Sequence, residues 1–372
     1  KKINKKLLKL LDDIIGKENQ ILKSLTNFYK NSYSKNTISK LKKYSEIRLI
    51  GMGGSTLGTR AIYNFLKDKI KKKFIFIDSL EPRNKKKLNE KKLLNIIVSK
   101  SGNTLETITN TNILLKKNHK NIFITQNKKS YLISLAKKLK AEVINHNDFI
   151  GGRYSVLSEV GMLPAELMGL NPKKFKQFSD LVKNRNFMKS LILNVSNIHE
   201  FIKKKKNNSI ILNYDKNSSD LFVWYQQLIA ESLGKKGRGL LPVISNMPKD
   251  NHSLMQYYLD GNKNNFFTFF FVKNESSDKI INTNILNSHH YLKNKDICKI
   301  RESQLLATQN IFRKKNIPFR SFYLNKRDEK SLGELFTFFI LETILLGKLL
   351  DVNPYTQPAV ELIKKETKRI LL

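Results

Sequence analysis

Cysteine, tryptophan and long apolar runs are scarce in this sequence of 372 residues, which has one cysteine and one tryptophan. The single cysteine, Cys298, excludes an internal disulfide framework and a cluster of thiolate metal ligands. The longest apolar run, residues 335–346, is about a dozen residues, whereas a helix needs roughly 20 to cross a bilayer. The first residues mix lysines with leucines, and these charges interrupt the apolar stretch that a signal peptide needs. We therefore expect a buried helix at 335–346 and a soluble, cytoplasmic protein.

Acidic residues are also few, so the formal net charge is +38. Such a charge attracts polyanions, and a nucleic-acid partner has to be considered. Specific contacts to bases use arginine most, yet here 58 lysines outnumber 11 arginines and lie along the whole chain. We interpret the excess as a lysine-rich surface, of the kind an AT-rich genome would encode, and expect no specific nucleic-acid partner.

Short β-branched or aromatic runs alternate with helical patterns, which is typical of parallel α/β units. The predicted strands are 47–51, 74–78, 96–99, 122–125 and 142–145 in a first series, and 210–213, 240–244, 267–272 and 319–324 in a second. The main predicted helices are 104–117, 130–140, 219–233, 250–260, 302–314 and 331–349. In the first of these, Leu105, Ile108 and Leu115 are expected to form the buried stripe.

The recurring element order predicts an α/β protein with two doubly wound parallel sheets. A basic segment at 203–206 separates the two series. We predict an N-terminal helical segment at 1–45, domains at 46–175 and 200–350, and a C-terminal helix at 351–372.

Two turns rich in glycine and hydroxyl groups follow predicted strands. One reads Gly-Met-Gly-Gly-Ser-Thr from residue 51, and the other reads Ser-Lys-Ser-Gly-Asn-Thr from residue 99. Backbone amides and hydroxyls at a strand end before a helix suit an anion, although each turn alone could be structural or a helix cap. The spacing is not that of a dinucleotide fingerprint, and the lysine of a nucleotide-binding P-loop is missing. Together the turns favour a site for a phosphate monoester.

Two further segments carry charged groups suited to catalysis. Arg153 follows two glycines, so the backbone is free to present its guanidinium to a developing oxyanion. Glu231 continues the apolar stripe of Trp224 and Leu228 at helical spacing, and Gly234 is placed to end that helix. A partly desolvated carboxylate has a raised pKa and can act as a general base, although a glutamate paired with a nearby lysine is the alternative.

A histidine and a C-terminal motif complete the candidates. His252 is expected in the first turn of helix 250–260, where the helix dipole favours the neutral imidazole. At the C-terminus, Asn353 can cap a helix that begins with Pro354. Gln357 and Lys364 would then share one face, the alternative being a solvated helix with a Glu361–Lys365 pair.

Taken together, these segments resemble the phosphoglucose isomerase family of the sugar-isomerase (SIS) superfamily. The matching segments, in the family's order, are 51–58, 99–107, 151–158, 231–234, 252–261 and 353–365. The Gly-Gly-Arg-Tyr-Ser run from residue 151 and the Asn-Pro-x-x-Gln-Pro-x-Val-Glu-x-x-Lys run from residue 353 are specific, whereas the glycine turn is not. Ala359 departs from the glycine that is usual in the family. The resemblance implies SIS-type, flavodoxin-like αβα domains.

The resemblance also implies an activity, the reversible isomerisation of glucose 6-phosphate and fructose 6-phosphate through a cis-enediol. Glu231 would move the proton between C2 and C1, Arg153 would stabilise the enediolate, and His252 and Lys364 would assist ring opening. The implied substrate-binding residues are Gly54, Ser55, Ser99, Lys100 through its backbone, Ser101, Thr104, Gly152 and Gln357. No metal or organic cofactor is expected, and the family's homodimer would supply His252 across the interface.

Two other functions stay open from the sequence. One is a dual enzyme that also isomerises mannose 6-phosphate, because a few contacts decide the stereochemistry at C2. The other is a non-catalytic module that binds phosphosugars. Such a module would keep the turn at 99–104 and lose the base, the histidine or the lysine, all of which are present here.

Overall fold

A computed structural model describes residues 2–16, 19–81, 89–273, 277–280 and 286–372. Within these ranges the chain forms nine β-strands in two parallel sheets, with helices between most successive strands. Parallel strands need such crossover connections. The predicted α/β class is therefore confirmed.

The first sheet has the strand order β2-β1-β3-β4-β5, and all its strands are parallel. Its members are β1 (Glu46–Ile50), β2 (Lys73–Ile77), β3 (Leu93–Val98), β4 (Lys120–Thr125) and β5 (Glu142–Asn145). Every residue of β3 is buried, as expected for a central strand covered on both faces. This is the flavodoxin-like order, in which ligands bind beyond the carboxyl ends of β1 and β3.

The second sheet has the strand order β7-β6-β8-β9 and is also parallel. Its members are β6 (Asn208–Asn213), β7 (Leu241–Asn246), β8 (Asn265–Val272) and β9 (Phe319–Leu324). Strand β8 contains five phenylalanines, and all of its residues are buried. Each predicted strand overlaps an observed one, and the continuous apolar runs of the sequence mark central strands that are buried on both faces.

Helices surround the strands throughout the described residues. They are α1 (Lys2–Gly16), α2 (Gln20–Ser24), α3 (Lys35–Leu41), α4 (Leu57–Phe65), α5 (Leu105–Leu114), α6 (Tyr131–Lys138), α7 (Glu159–Leu167), α8 (Pro172–Phe175), α9 (Phe178–Leu181), α10 (Arg185–Lys203), α11 (Ser219–Leu233), α12 (Met255–Asp260), α13 (Ile297–Lys314), α14 (Glu329–Leu349) and α15 (Val360–Leu371). Most residues of α14 are buried, as predicted for the longest apolar run. In the described part of the chain, no helix is long and apolar enough to cross a membrane.

One hydrophobic core extends through both halves of the molecule. Helix α11 packs along α4 of the first half and also contacts α14. Trp224 and Leu228 on α11 are fully buried, and the Trp224 ring meets Phe336 edge to face with centroids 4.8 Å apart. Such aromatic pairs add to the stabilisation that burial alone provides. The helix that carries Glu231 is thus fixed from more than one side.

The apolar stripe predicted for α5 is confirmed in part, because Ile108 and Leu115 pack against a buried cluster of the first sheet and Leu105 does not. Leu105 is 43% exposed, and Leu115 lies just beyond the last helical residue, whereas Thr107 and Asn110 are buried. The Asn110 amide donates a hydrogen bond to the Ser79 carbonyl at 3.1 Å. The side of the helix that faces the sheet therefore combines Ile108 with buried polar side chains, and the hydrogen bond of Asn110 helps to fix its orientation.

The helix predicted at 250–260 is divided into two pieces. A 3-10 turn, Lys249–His252, is followed by two non-helical residues and then by α12. Asp250 ties the turn to the end of β7, because its carboxylate accepts a hydrogen bond from the Asn246 amide at 2.7 Å. His252 therefore lies in a turn and not at the start of an α-helix.

The C-terminal helix also begins later than predicted. Helix α15 starts at Val360, and Asn353 instead accepts a hydrogen bond from the Tyr355 amide at 2.9 Å in an Asx turn. This local bond gives Asn353 an alternative to capping a helix. Gln357 consequently lies in a loop and does not share a helical face with Lys364.

Candidate active site

The two turns predicted to bind an anion leave the same edge of the first sheet. Strands β1 and β3 are parallel neighbours, so the turns that follow them lie side by side. A Cβ atom at Gly51 would lie 2.8 Å from the Val98 carbonyl oxygen at the end of β3. Only glycine permits this approach, and it brings the two turns together.

The glycine turn also touches the backbone around Arg153. A Cβ atom at Gly54 would lie 2.2 Å from the Gly152 carbonyl carbon and 2.5 Å from the Arg153 nitrogen. Ser155 donates a hydrogen bond to the Gly152 carbonyl at 2.7 Å and holds this contact from the other side. Gly54 and Gly152, both predicted site residues, are therefore in direct contact.

The second turn presents its hydroxyl groups at the start of α5. Ser99 is buried, and its hydroxyl lies 2.8 Å from that of Thr104. Thr104 makes no side-chain hydrogen bond to the first turn of α5, which leaves the amides of that turn without a side-chain cap. Free amides at a helix N-terminus attract anions.

The remaining residues of these two turns are less buried. Ser55 is half-buried in the glycine turn, and Ser101 is exposed and accepts a hydrogen bond from the Asn103 amide at 3.2 Å. Burial lowers the pKa of the Lys100 ammonium, against the attraction of Asp148, and the charge of Arg153 lowers it further. Lys100 therefore lies within electrostatic reach of Arg153.

Arg153 is the most highly connected residue of the site. Its guanidinium is 2% exposed, and Nε donates to the Ser232 hydroxyl at 2.7 Å. Nη1 donates to Gln357 Oε1 at 2.9 Å, and Nη2 donates to the carbonyls of Pro354 at 2.7 Å and Thr356 at 3.3 Å. The rigid fork of donors fixes the loop that carries Gln357.

Glu231 lies in the last turn of α11 with its side chain 23% exposed. Oε1 is 3.3 Å from Arg153 Nη1, and Oε2 accepts a hydrogen bond from Gln227 Nε2 at 3.0 Å. Gly53 has a φ of +53°, and a Cβ atom there would lie 2.9 Å from the same Gln227 nitrogen. The glycine turn, Gln227 and the carboxylate thus form one continuous contact.

Two residues of this group were not predicted from the sequence. Gln227 precedes Glu231 by one helical turn, and that spacing could have identified it as a neighbour of the carboxylate. Tyr154 follows Arg153, and its hydroxyl lies 3.0 Å from both the Ser232 hydroxyl and the Pro354 carbonyl. Burial raises the pKa of Tyr154 to about 12, so its phenol stays protonated near neutral pH.

His252 and Lys364 are not brought to this group on the same chain. His252 is exposed in its 3-10 turn, and among the described residues no hydrogen bond or ion pair joins it to Arg153 or Glu231. Lys364 lies on α15, which buries none of its residues, and its ammonium pairs with Glu361 at 2.6 Å. This pair replaces the Glu361–Lys365 pair considered from the sequence.

The arrangement defines what the site can do chemically. A partly buried carboxylate beside a guanidinium can take up and return a proton while the cation stabilises a neighbouring oxyanion. The two turns offer hydroxyls and amides to an anionic group. Within the described ranges, no three His, Cys, Asp or Glu side chains come together in a way that could hold a metal ion.

The fold is that of a doubly wound α/β protein in which a carboxylate–guanidinium pair lies beside the hydroxyl-rich turns of one parallel sheet. Its fold is similar to that of a hypothetical protein from Thermus thermophilus, with a TM-score of 0.84 and 22% identity over all of this chain and 94% of the other. It is also similar to a glucose-6-phosphate isomerase from Chlamydia trachomatis, with a TM-score of 0.73 and 20% identity over 90% of this chain and 71% of the other.

Sequence comparison identifies the family. Residues 3–240 match the family described as phosphoglucose isomerase. The chain is 32% identical to the glucose-6-phosphate isomerase of Methanocaldococcus jannaschii over 350 residues, which cover 89% of this chain and 85% of that protein. It is 31% identical to the glucose-6-phosphate isomerase of Acholeplasma laidlawii over 381 aligned residues, covering 91% and 88%. The chain belongs to the phosphoglucose isomerase family.

Proposed function

We propose that this member of the family interconverts glucose 6-phosphate and fructose 6-phosphate through a cis-enediol, as a step of glycolysis and gluconeogenesis in the cytoplasm. The observation that carries the proposal is the Glu231 carboxylate, which lies 3.3 Å from Arg153 and is held by Gln227 beside the hydroxyl-rich turns. Proton transfer between adjacent carbons changes no overall oxidation state, so the proposed reaction uses no redox cofactor.

The substrate phosphate is assigned to the two turns at the end of the first sheet. Hydroxyls of Ser55, Ser99, Ser101 and Thr104 and the backbone amide of Lys100 donate to its oxygens. The first turn of α5 supports them, because a helix N-terminus favours negative charge. Gly54, Gly152 and Gln357 then line the space in which the sugar lies.

Glu231 acts as the proton carrier. In the open-chain aldose the carboxylate removes the proton from C2, the C1 carbonyl oxygen gains the electron pair, and an enediolate forms. Arg153 stabilises that oxygen, the proton of the C2 hydroxyl passes to it, and Glu231 returns its own proton to C1 as the C2 oxygen becomes the ketone carbonyl. The reverse reaction uses the same groups in the opposite order.

Ring opening is assigned to His252 and Lys364, which transfer protons to and from the ring oxygen and the C1 hydroxyl. On the described chain both lie apart from Glu231, which supports a homodimer in which the partner subunit supplies the histidine. Lys364 pairs with Glu361 on the exposed helix α15, so this role requires a different position of that helix when the sugar is bound.

A substitution that removes the base without changing its shape tests this function. Glu231→Gln is expected to lower kcat by about 10²- to 10⁴-fold, the usual contribution of a general base. Binding of fructose 6-phosphate, measured by calorimetry, should weaken by no more than about threefold, because the phosphate contacts remain.

The matched control is Glu334→Gln, a half-buried glutamate on α14 without an assigned role. Its kcat should stay within about twofold of that of the parent protein. Turnover by Glu231→Gln at a similar level would remove Glu231 from the reaction.

A further inference from the structure

A tight turn after α11 presents two cations to the same neighbour. Lys235 and Arg238 pair through two backbone hydrogen bonds, and Lys236 and Gly237 between them have φ values of +53° and +67°. Two central residues with positive φ are the signature of a type I′ hairpin turn. Residues directly opposite in such a pair project to the same side, so Lys235 and Arg238 point the same way.

Both cations contact the loop that follows α14, which we term the 350–357 loop. The Lys235 ammonium donates to the Asn353 carbonyl at 2.8 Å, and the Arg238 guanidinium donates to the Leu350 carbonyl. Lys235 also donates to the Ser232 carbonyl at 2.5 Å, in the last turn of α11. Cations are favourable beside the free carbonyls at helix ends. Lys235 therefore ties the end of the Glu231 helix to this loop.

The same loop holds the guanidinium of the site at its other end. Pro354, next to Asn353, accepts from Arg153 at 2.7 Å, and Gln357 accepts from it at 2.9 Å. A displacement of the loop at Asn353 would therefore move the acceptors that orient Arg153. A small displacement of catalytic groups lowers kcat more than it weakens substrate binding.

We propose that Lys235 is a positioning residue for the isomerisation: its ammonium bridges α11 and the 350–357 loop and keeps Arg153 and Gln357 aligned with Glu231. This inference rests on the proposed function and goes beyond it. Lys235 affects the reaction only through the positions of these neighbouring residues.

The charge of Lys235 is lost within an accessible pH range. Burial and, to a smaller extent, the charge of Arg153 lower the pKa of Lys235 to about 8, against the opposing effect of Glu231. Lys236, Arg238 and Asp351 are the other charged groups of the turn and loop at this position. Above pH 8 the ammonium becomes a neutral amine, and its charge-assisted hydrogen bonds weaken. We expect kcat to fall as the pH rises through this value.

Two variants of Lys235 and one of its neighbour test the proposal in the full chain. Lys235→Met removes the donor, and Lys235→Arg keeps the charge at every pH that the protein tolerates. Lys236→Met is the matched control, because Lys236 is in the same turn with its side chain 67% exposed, and its ammonium contacts the loop at Asp351 alone, over 3.4 Å to the carbonyl and 3.9 Å to the carboxylate, among the described residues. For each protein, kcat and KM are measured from about pH 6.5 to about pH 9.5, a range that brackets the lowered pKa of Lys235. Amide hydrogen exchange is measured over residues 350–359.

Lys235→Met should lower kcat about tenfold near neutral pH, change KM by less than about twofold, and speed exchange in the loop about tenfold. Lys235→Arg should keep at least about a third of kcat and move the alkaline decline upward by about one pH unit or more. Lys236→Met should match the parent protein in all three measurements. If Lys235→Met does not fold, the pH profile of Lys235→Arg decides.

Failure of this inference is distinct from failure of the proposed function. Three outcomes would overturn the role of Lys235. They are unchanged loop exchange in Lys235→Met, a kcat of Lys235→Met equal to that of Lys236→Met, and an alkaline decline of kcat at the same pH in Lys235→Arg as in the parent protein. An inactive parent protein would overturn the proposed function, and faster loop exchange in Lys235→Met would then still establish the bridge.

Discussion

Replacing Arg153 by methionine removes the only cation that contacts Glu231 among the ion pairs of the described residues. Methionine has a similar length and apolar stem, but its thioether cannot donate a hydrogen bond. The change therefore tests the guanidinium without opening a large cavity. Lys364 and His252 are unaffected, since neither contacts Arg153 on the same chain.

The expected loss of stability follows from the partners left behind. Removing one member of a buried ion pair costs about 3–5 kcal/mol. Two acceptors, the Ser232 hydroxyl and the Pro354 carbonyl, retain hydrogen bonds to Tyr154, and Glu231 is partly hydrated, so the lower end applies. With an unfolding entropy of about 2.1 cal/mol/K per residue, a loss of about 3 kcal/mol lowers Tm by about 4 °C.

The expected kinetic effect is much larger than this loss of stability suggests. Loss of one group that stabilises a developing oxyanion costs about 10²- to 10³-fold in kcat. The assay is the conversion of fructose 6-phosphate to glucose 6-phosphate, coupled to a dehydrogenase and run well below Tm. Arg153→Lys should give an intermediate kcat, because the charge remains and the fork of donors is lost.

Arg327→Met is the control for general destabilisation. Arg327 is largely buried, with its side chain 14% exposed, pairs with Asp215 at 2.6 Å and donates to the Phe65 carbonyl at 3.2 Å. We expect a comparable fall in Tm with kcat within about threefold of that of the parent protein. If Arg153→Met and Arg327→Met have the same kcat, the guanidinium of Arg153 does not stabilise the enediolate.

Two further predictions concern the residues that lie apart from Glu231. If His252 acts across a dimer interface, refolding a mixture of Glu231→Gln and His252→Gln chains should restore about a quarter of the parent activity. Half of the dimers are then hybrids, and each hybrid has one of its two sites intact. No recovery of activity would place the histidine within one chain or outside the reaction. Lys364→Ala should slow turnover of the cyclic substrate about tenfold more than that of an open-chain analogue, since only ring opening needs its proton. Equal losses on both substrates in stopped-flow assays would exclude that role.

The centre of each sheet was predictable because its strands are buried on both faces. Runs such as those in β3 and β8 are almost entirely apolar, so local sequence marks them without information from distant residues. The turns at the ends of β1 and β3 were predictable for a related reason, since glycines and hydroxyls stand out against these runs. The domain limits at 46–175 and 200–350 stay a prediction.

Contacts between distant segments could not be predicted in the same way. The loop that holds Arg153 follows it by about 200 residues, and nothing local shows that the Pro354 and Thr356 carbonyls face a guanidinium. The late start of α15 has a similar cause, because the Asx turn at Asn353 competes with helix capping there. Lys235 looked like one of many surface lysines until the structure showed which carbonyls it reaches.

The packing of α11 against α4 limits how this enzyme family can be recombined. In a chimaera of the first half of this chain and the second half of a relative, α4 of one protein would pack against α11 of the other. These two surfaces would have evolved independently. The misfit would fall on the helix that carries Glu231, so a hybrid could fold and still be a poor catalyst. Crossovers for gene shuffling are better placed before Leu57 or after Leu233, which keeps both helices from one parent.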